Sequence, residues 1–158
     1  MQRCTTCGNE KFDRARRKVT VELRIRHEGR DRDLGVFAHV PSRRCTKCGT
    51  HFESAVDLER FELSAAERLM ALGLRAGGIL RFARKALGMR AVDLAELLDV
   101  TPETISHWEN DRREIDLKAL VVVRDLIRDR IEGGTRTADQ LKALRAPRLP
   151  SEPMHVEL

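Results

Sequence analysis

Residues 18 to 26, KVTVELRIR, alternate strictly: Val19, Val21, Leu23 and Ile25 share one face, and Lys18, Thr20, Glu22, Arg24 and Arg26 share the other. A period of two is the pattern of a strand with one buried face. The polar stretch HEGRDRD follows, with Gly29 suited to a turn, and Leu34, Val36, Ala38 and Val40 resume the alternation up to Pro41. The two runs predict an antiparallel hairpin with a core of Val19, Leu23, Leu34 and Val36. From Phe52 the period lengthens. Ser64 and Glu67 read as a capping box ahead of Leu69, Met70, Leu72 and Leu74, which predicts a connector helix ended by Gly77-Gly78. Helices follow over Ile79 to Leu87, Arg90 to Leu98 and Pro102 to Asn110, and a longer one, capped by Asp116, runs from Leu117 to about Ile131. Gly133-Gly134 breaks it, TADQLKAL adds a turn or two, and Pro147, Pro150 and Pro153 mark a disordered tail. The expected architecture is small α+β: a β domain over 1–55, a linker helix over 56–77, an all-helical domain over 78–132 and a flexible tail over 133–158.

A chain of 158 residues has room for one ordinary domain or two small ones, and two small ones need separate stabilisation. Thirty Lys+Arg against 25 Asp+Glu favour a polyanion as partner over a cation. The start, MQRCTTCGNEKFDR, lacks an apolar signal region, and no window approaches the roughly 18 apolar residues of a membrane span. These features predict a cytoplasmic protein with reduced thiols and no membrane partner. There, four cysteines in two pairs are expected to hold a metal rather than to form disulfides.

Cys4-Thr-Thr-Cys7-Gly8 and Cys45-Thr-Lys-Cys48-Gly49 both read C-x-x-C-G. Two intervening residues let one tight turn aim both sulfurs at a single ion, and the following glycine permits the left-handed backbone that such a turn needs. The hairpin lies between the pairs, so closing it brings the turns together. Four thiolates suit one structural Zn2+ per chain and leave no position open for a catalytic water. A rubredoxin-like iron centre has the same thiolate geometry. A redox motif would open a helix within a βαβ unit, and no such unit surrounds either pair. His39 and His51 read as surface residues beside a complete ligand set.

Along Ala91 to Trp108, small Ala95 permits a close helix crossing, Asp99 fills a turn, and Leu94, Leu98, Val100, Ile105 and Trp108 are placed to pack together. Two short helices joined by a three- or four-residue turn form a DNA-reading unit whose second helix enters the major groove. Thr101 caps that helix, Pro102 takes its first position, and Ile105 and Trp108 anchor it. Glu103, Thr104 and His107 remain on the face left for the groove, where Glu103 needs a cytosine amino group as its donor. Arg112 and Arg113 follow the helix, where phosphates lie. The basic run Arg14, Arg16, Arg17 and Lys18, with Arg24 and Arg26, reads as a solvated surface or an acidic partner's docking site, without the aromatic interleaving of a nucleic-acid platform.

The run LGMRAVDLAELLDVTPETISHWENDRREIDLKAL resembles the helix-turn-helix of Xre/Cro-type phage and bacterial repressors, with I-S-x-W-E-N at Ile105 to Asn110. The resemblance implies base-edge contacts from Pro102, Glu103, Thr104 and His107, phosphate contacts from Asn110, Arg112 and Arg113, and a buried ion pair of Arg84 with Glu109. The chain departs from that family at Arg90-Ala91, where Thr or Ser then Gln is usual, and at Asp99, where Gly is usual. Arg90 is expected to supply a phosphate-holding charge instead, and Asp tolerates the left-handed turn. The order of parts is similar to the MqsA (YgiT-type) antitoxins over about residues 1 to 130. This second resemblance implies a zinc domain that binds a protein toxin and a helix-turn-helix domain that dimerises, binds operator double-stranded DNA and represses its own operon. The alternative is a stand-alone zinc-containing Xre-family regulator without a toxin. An enzyme is not expected, because no Ser/His/Asp set, phosphate-cradling glycine loop or open metal site can be assembled.

Overall fold

In the computed structural model, which describes residues 3–146, the alternation at 18–26 extends in both directions. Strand β1 runs Phe12–His27 and β2 runs Arg30–Cys45, paired antiparallel without a break from Phe12 opposite Cys45 to His27 opposite Arg30. Only Glu28 (φ 51) and Gly29 (φ 74) form the turn, the left-handed pair that a two-residue hairpin demands. Most of the stretch read as a polar turn, Arg30 to Asp33, is therefore strand. A third strand that the pattern did not announce, β3 (His51–Glu53), pairs with Ser42 to Arg44 and gives the order β1-β2-β3.

Among the described residues six helices follow: α1 (Ala55–Met70), α2 (Gly77–Ala86), α3 (Ala91–Leu98), α4 (Pro102–Glu109), α5 (Leu117–Glu132) and α6 (Arg136–Arg145). The expected capping box at Ser64 is overturned. Helix α1 starts at Ser54, whose Oγ accepts the Asp57 N–H at 3.0 Å, while Ser64 sits mid-helix and donates to the Arg60 carbonyl at 2.8 Å. Glu67, freed from capping, pairs with Arg124 of α5 at 2.8 Å. Nor is α1 a bare connector, since Phe61, Leu63, Ala65, Ala66, Leu69 and Met70 are buried.

Gly77-Gly78 does not end a helix but opens α2, and close approach explains both glycines. A Cβ on Gly77 would lie 2.3 Å from the Trp108 carbonyl oxygen, and one on Gly78 3.0 Å from that of Arg24. The pair is thus a packed crossing of α2 against α4 and β1, not a hinge.

The hairpin has no core of its own. Ile25 is buried with Leu63, Leu69, Ile79, Leu80, Leu94, Ile105, Trp108, Val123 and Ile127, and Leu23, Leu34 and Val36 pack half-buried against that cluster. Nearer the cysteines, Val40 is buried with Phe61 and Ala65 of α1, beside Val19, Val21 and Ala38. The strand's apolar face is too small to stand alone and is completed by α1 and α2. At the other end Gly133 (φ 76) closes α5 as its sequence suggests, and α6 is longer than a turn or two, its first turn tied by the Thr137 N–H to the Asp129 carboxylate at 2.5 Å. The proline-rich end, with Pro147, Pro150 and Pro153, lies outside the described residues. The small α+β architecture, a cysteine-bearing hairpin followed by an all-helical region, agrees with the expectation from sequence.

Candidate metal centre and nucleic-acid interface

Each C-x-x-C-G forms the same tight turn. The Gly8 N–H donates to the Cys4 carbonyl at 2.8 Å and the Gly49 N–H to that of Cys45 at 3.0 Å, with φ of 72 and 74 at the two glycines. Continuous β1–β2 pairing brings the turns together, and the four sulfurs all lie within 4.8 Å of one another. Cys4 to Cys48 is 3.5 Å and Cys7 to Cys45 is 3.6 Å. A tetrahedron with metal–sulfur bonds of about 2.3 Å has edges of about 3.8 Å, so the donor set fits one structural ion. Cys45 and Cys48 also sit among donors that favour thiolate, whereas Cys7, despite the Asn9 backbone N–H, is pushed up to about 12 by burial and by the neighbouring sulfurs. The Cys48 backbone N–H, above all, draws Cys45 down to about 6, and Asn9 Nδ2 reaches its sulfur at 3.4 Å. The Thr50 hydroxyl, 3.1 Å away, lowers Cys48. Asn9 and Thr50 carry no sequence signal for this role except position, each two residues beyond a cysteine. Of the two neighbouring histidines, His39 is exposed, but His51 is half-buried in β3 and bonded to Ser42 Oγ at 2.9 Å, so it is not a plain surface residue.

The second candidate site is the α3–α4 pair. Helix α3 begins at Arg90, whose N–H donates to Asp93 at 2.8 Å while its guanidinium grips the same carboxylate at 2.7 Å. The Arg90 side-chain bond, followed by its backbone N–H, holds Asp93 down to about 2. The charge read as a phosphate ligand is therefore half of a local ion pair. Asp99 ends α3 in the left-handed region (φ 57, ψ 45), the role glycine usually fills. Thr101 Oγ1 accepts the Thr104 N–H at 3.2 Å and starts α4, with Pro102 at its first position.

Ile105 is fully buried and Trp108 is 5 % exposed, so both anchors sit where the periodicity placed them; the Trp108 indole N–H is buried without an acceptor among the described residues. Pro102, Glu103 and His107 are exposed, as is Ser106, which sequence reasoning missed although it lies between Pro102 and Asn110 around the helix. Thr104 is half-buried, its Oγ1 3.2 Å from that of Thr101, so it borders the face rather than leading it. Glu103 is held below the usual carboxylate range by its own N–H and then by the Thr101 hydroxyl, which keeps it an acceptor.

The Arg84–Glu109 pair is bidentate, 2.6 and 3.0 Å, with Arg84 also donating to the Met89 carbonyl at 2.7 Å. Arg81 extends it, reaching the Glu109 carbonyl at 3.0 Å and Asn110 Oδ1 at 2.6 Å. Asn110 in turn donates one amide hydrogen to the Ser106 carbonyl at 2.7 Å, a bond that helps end α4. Asp111 adopts φ 53 and accepts the Gly77 N–H at 2.6 Å. Arg81, Asp111 and Gly77 thus join the network that seats α4; of the three, only Gly77 stood out in sequence, and for another reason. Arg112 and Arg113 lie exposed on the following turn, with no side-chain partner among the described residues.

The model of the helix-turn-helix family matches residues 80–123, from within α2 into α5. No curated protein matches the chain. Among the described residues no helix is long and apolar enough to cross a membrane. Residues 80–123 are a DNA-binding helix-turn-helix domain of the Xre type, carried in one chain with an N-terminal four-cysteine cluster that suits a structural metal.

Proposed function

We propose that the protein is a cytoplasmic, sequence-specific transcriptional repressor that binds operator DNA as a homodimer. Pro102, Glu103, Thr104 and His107 read base edges, and Arg112, Arg113, Asn110 and, from its ion pair, Arg90 hold phosphates. One observation carries this reading: α4, seated by Ile105, Trp108 and the Arg84–Glu109 pair, turns Glu103 and His107 to solvent and is followed by two exposed arginines without side-chain partners among the described residues. One short helix covers only a few base pairs, so specificity calls for two half-sites about one turn apart. Selection of bound sequences from a random pool, then gel shifts over a salt series, tests this. Arg112→Ala and Arg113→Ala weaken binding to all sequences and flatten the salt slope by about one unit each, whereas His107→Ala shifts base preference. An asymmetric footprint, or unchanged preference in the His107 variant, refutes the assignment.

The cysteine cluster is assigned one structural Zn2+ per chain. On the order of its parts, the protein is further proposed to be the antitoxin of a type II toxin–antitoxin pair, its ribbon capturing the toxin. The edge of β1 away from β2 pairs with no strand among the described residues, which supports strand addition by a partner. Co-expression with the adjacent gene product decides between this and a stand-alone regulator: rescue from toxicity and co-purification support the antitoxin, and a harmless neighbour that does not bind refutes it.

A further inference from the structure

The outer face of the ribbon differs from what the strand pattern suggests. Register places Arg14, Arg16, Lys18 and Thr20 of β1 on the same face as His39, Phe37 and Gly35 of β2, with Lys18 opposite His39 and Thr20 opposite Phe37. Phe37 is 57 % exposed in the middle of this polar face. Lys18 Nζ lies 4.3 Å from its ring centre, and the His39 ring meets it edge-on at 6.2 Å. An aromatic surface is therefore interleaved with the basic run after all.

Gly35 is the second observation. It lies inside an unbroken ladder, its φ is not positive, and a Cβ there would meet nothing within 4 Å. Neither backbone conformation nor packing of the chain on itself requires glycine at this position. Where the ladder has no bulge, a glycine inside a strand often marks a site that a ligand or another backbone approaches closely. Here it leaves a shelf without a side chain two residues from Phe37 on the same face, opposite the exposed Glu22 of β1. The charge is graded along the ribbon as well. Toward the turn, Arg24 stands 3.8 Å from both Asp31 and Asp33 and is offset by them. Toward the cysteines, Arg14, Arg16 and Lys18 are exposed, and no carboxylate among the described residues pairs with them.

We infer that this face binds a single-stranded nucleic acid, one base stacking on Phe37 above the Gly35 shelf while Lys18, Arg16 and Arg14 track the phosphates. A flat sheet with a central exposed ring suits an unpaired base, whose π-face is free. A duplex hides that face, and an acidic protein gains nothing from a bare shelf. The surface is separate from α4, so it does not depend on the operator reading.

The test uses the full chain carrying Arg112→Ala and Arg113→Ala, which removes the two unpaired arginines from the proposed phosphate contacts of the helix-turn-helix, and anisotropy of labelled oligouridine and oligothymidine. The two probes separate RNA from DNA as the source of the strand. In this background at least one oligomer binds, Phe37→Ala weakens it by about tenfold, Lys18→Glu weakens it further, and Phe37→Trp retains it. Gly35→Val, which fills the shelf, lowers affinity with no change in melting temperature. Equal affinity in the Phe37→Ala and parent proteins, equal competition by a blunt duplex, or loss of all oligomer binding in the Arg112→Ala, Arg113→Ala background overturns the inference. Operator binding by the single Phe37→Ala variant matches wild type, so failure here is distinguishable from failure of the repressor reading.

Discussion

Replacing Gly77 by alanine adds one methyl group where α2 lands on the end of α4. Its Cβ would stand 2.3 Å from the Trp108 carbonyl oxygen, 2.6 Å from the Glu109 carbonyl carbon and 2.7 Å from the Glu109 oxygen. Ordinary contact begins at 3.4 Å, and the three nearest atoms are all backbone, so no side-chain rotation relieves them. The helices must part by 3.4 − 2.3, or 1.1 Å, measured along that contact. Opening of this size stretches the Gly77 N–H bond to Asp111 (2.6 Å) and strains the Arg84–Glu109 pair (2.6 Å). Overpacking costs about 1–3 kcal/mol, a weakened bond to a carboxylate about 1.5–3, and the better helix propensity of alanine returns up to about 1. These bounds give a net loss of about 1.5–6 kcal/mol. For a chain of this length, at about 2–4 °C per kcal/mol, that is a fall in Tm of about 3–24 °C. Thermal and denaturant melts of the metal-loaded protein measure it, and operator affinity is expected to fall with it because the displaced element is the proposed reading helix. Gly35→Ala is the matched control: ordinary φ, nothing within 4 Å, and an expected change within about 1 kcal/mol. A Gly77→Ala protein as stable as wild type, or no worse than the Gly35→Ala control, refutes the argument that packing rather than flexibility selects glycine here.

Metal removal tests the cysteine cluster: metal analysis is expected to give one ion per chain, and chelator or Cys45→Ser to expose the base of the ribbon to protease while Tm falls, because thiolate coordination contributes directly to folding. Glu109→Gln leaves Arg84 buried without its counter-charge and is expected to cost about 3–5 kcal/mol in a denaturant melt, whereas the double variant Arg84→Met, Glu109→Leu recovers much of the loss. The Arg90–Asp93 pair predicts a pH dependence. The folded-state value of Asp93 is depressed from 3.8 to about 2, so its contribution is fully present above the unfolded value and is lost as pH falls through 3.8 toward 2. The Tm difference between wild type and Asp93→Asn is therefore expected to be constant near neutrality and to shrink over that acid window, and a difference that grows there refutes the pairing.

Features set by neighbours in the chain were legible in the sequence. Strand period, the left-handed glycines of the C-x-x-C-G turns, the Thr101 cap and the spacing of Ile105 and Trp108 each depend on a few consecutive residues, and each appears where the pattern puts it. The start of α1 was not legible, because Ser54-Ala-Val-Asp57 and Ser64-Ala-Ala-Glu67 offer the same cap. The earlier one prevails in a structure where Phe61 and Leu63 cover the ribbon and the helical core. Gly77 likewise reads as a stop by itself and becomes a contact only when Trp108, thirty-one positions later, is folded against it. The Arg90–Asp93 pair, three positions apart, is local and was missed, whereas Phe37 meets Lys18 only when strand register sets the two side by side. Local periodicity and turn chemistry determine which elements form, because their energetics act over one or two turns of chain. What each face and glycine does is decided by the residue that long-range packing brings against it, and that residue is not encoded nearby.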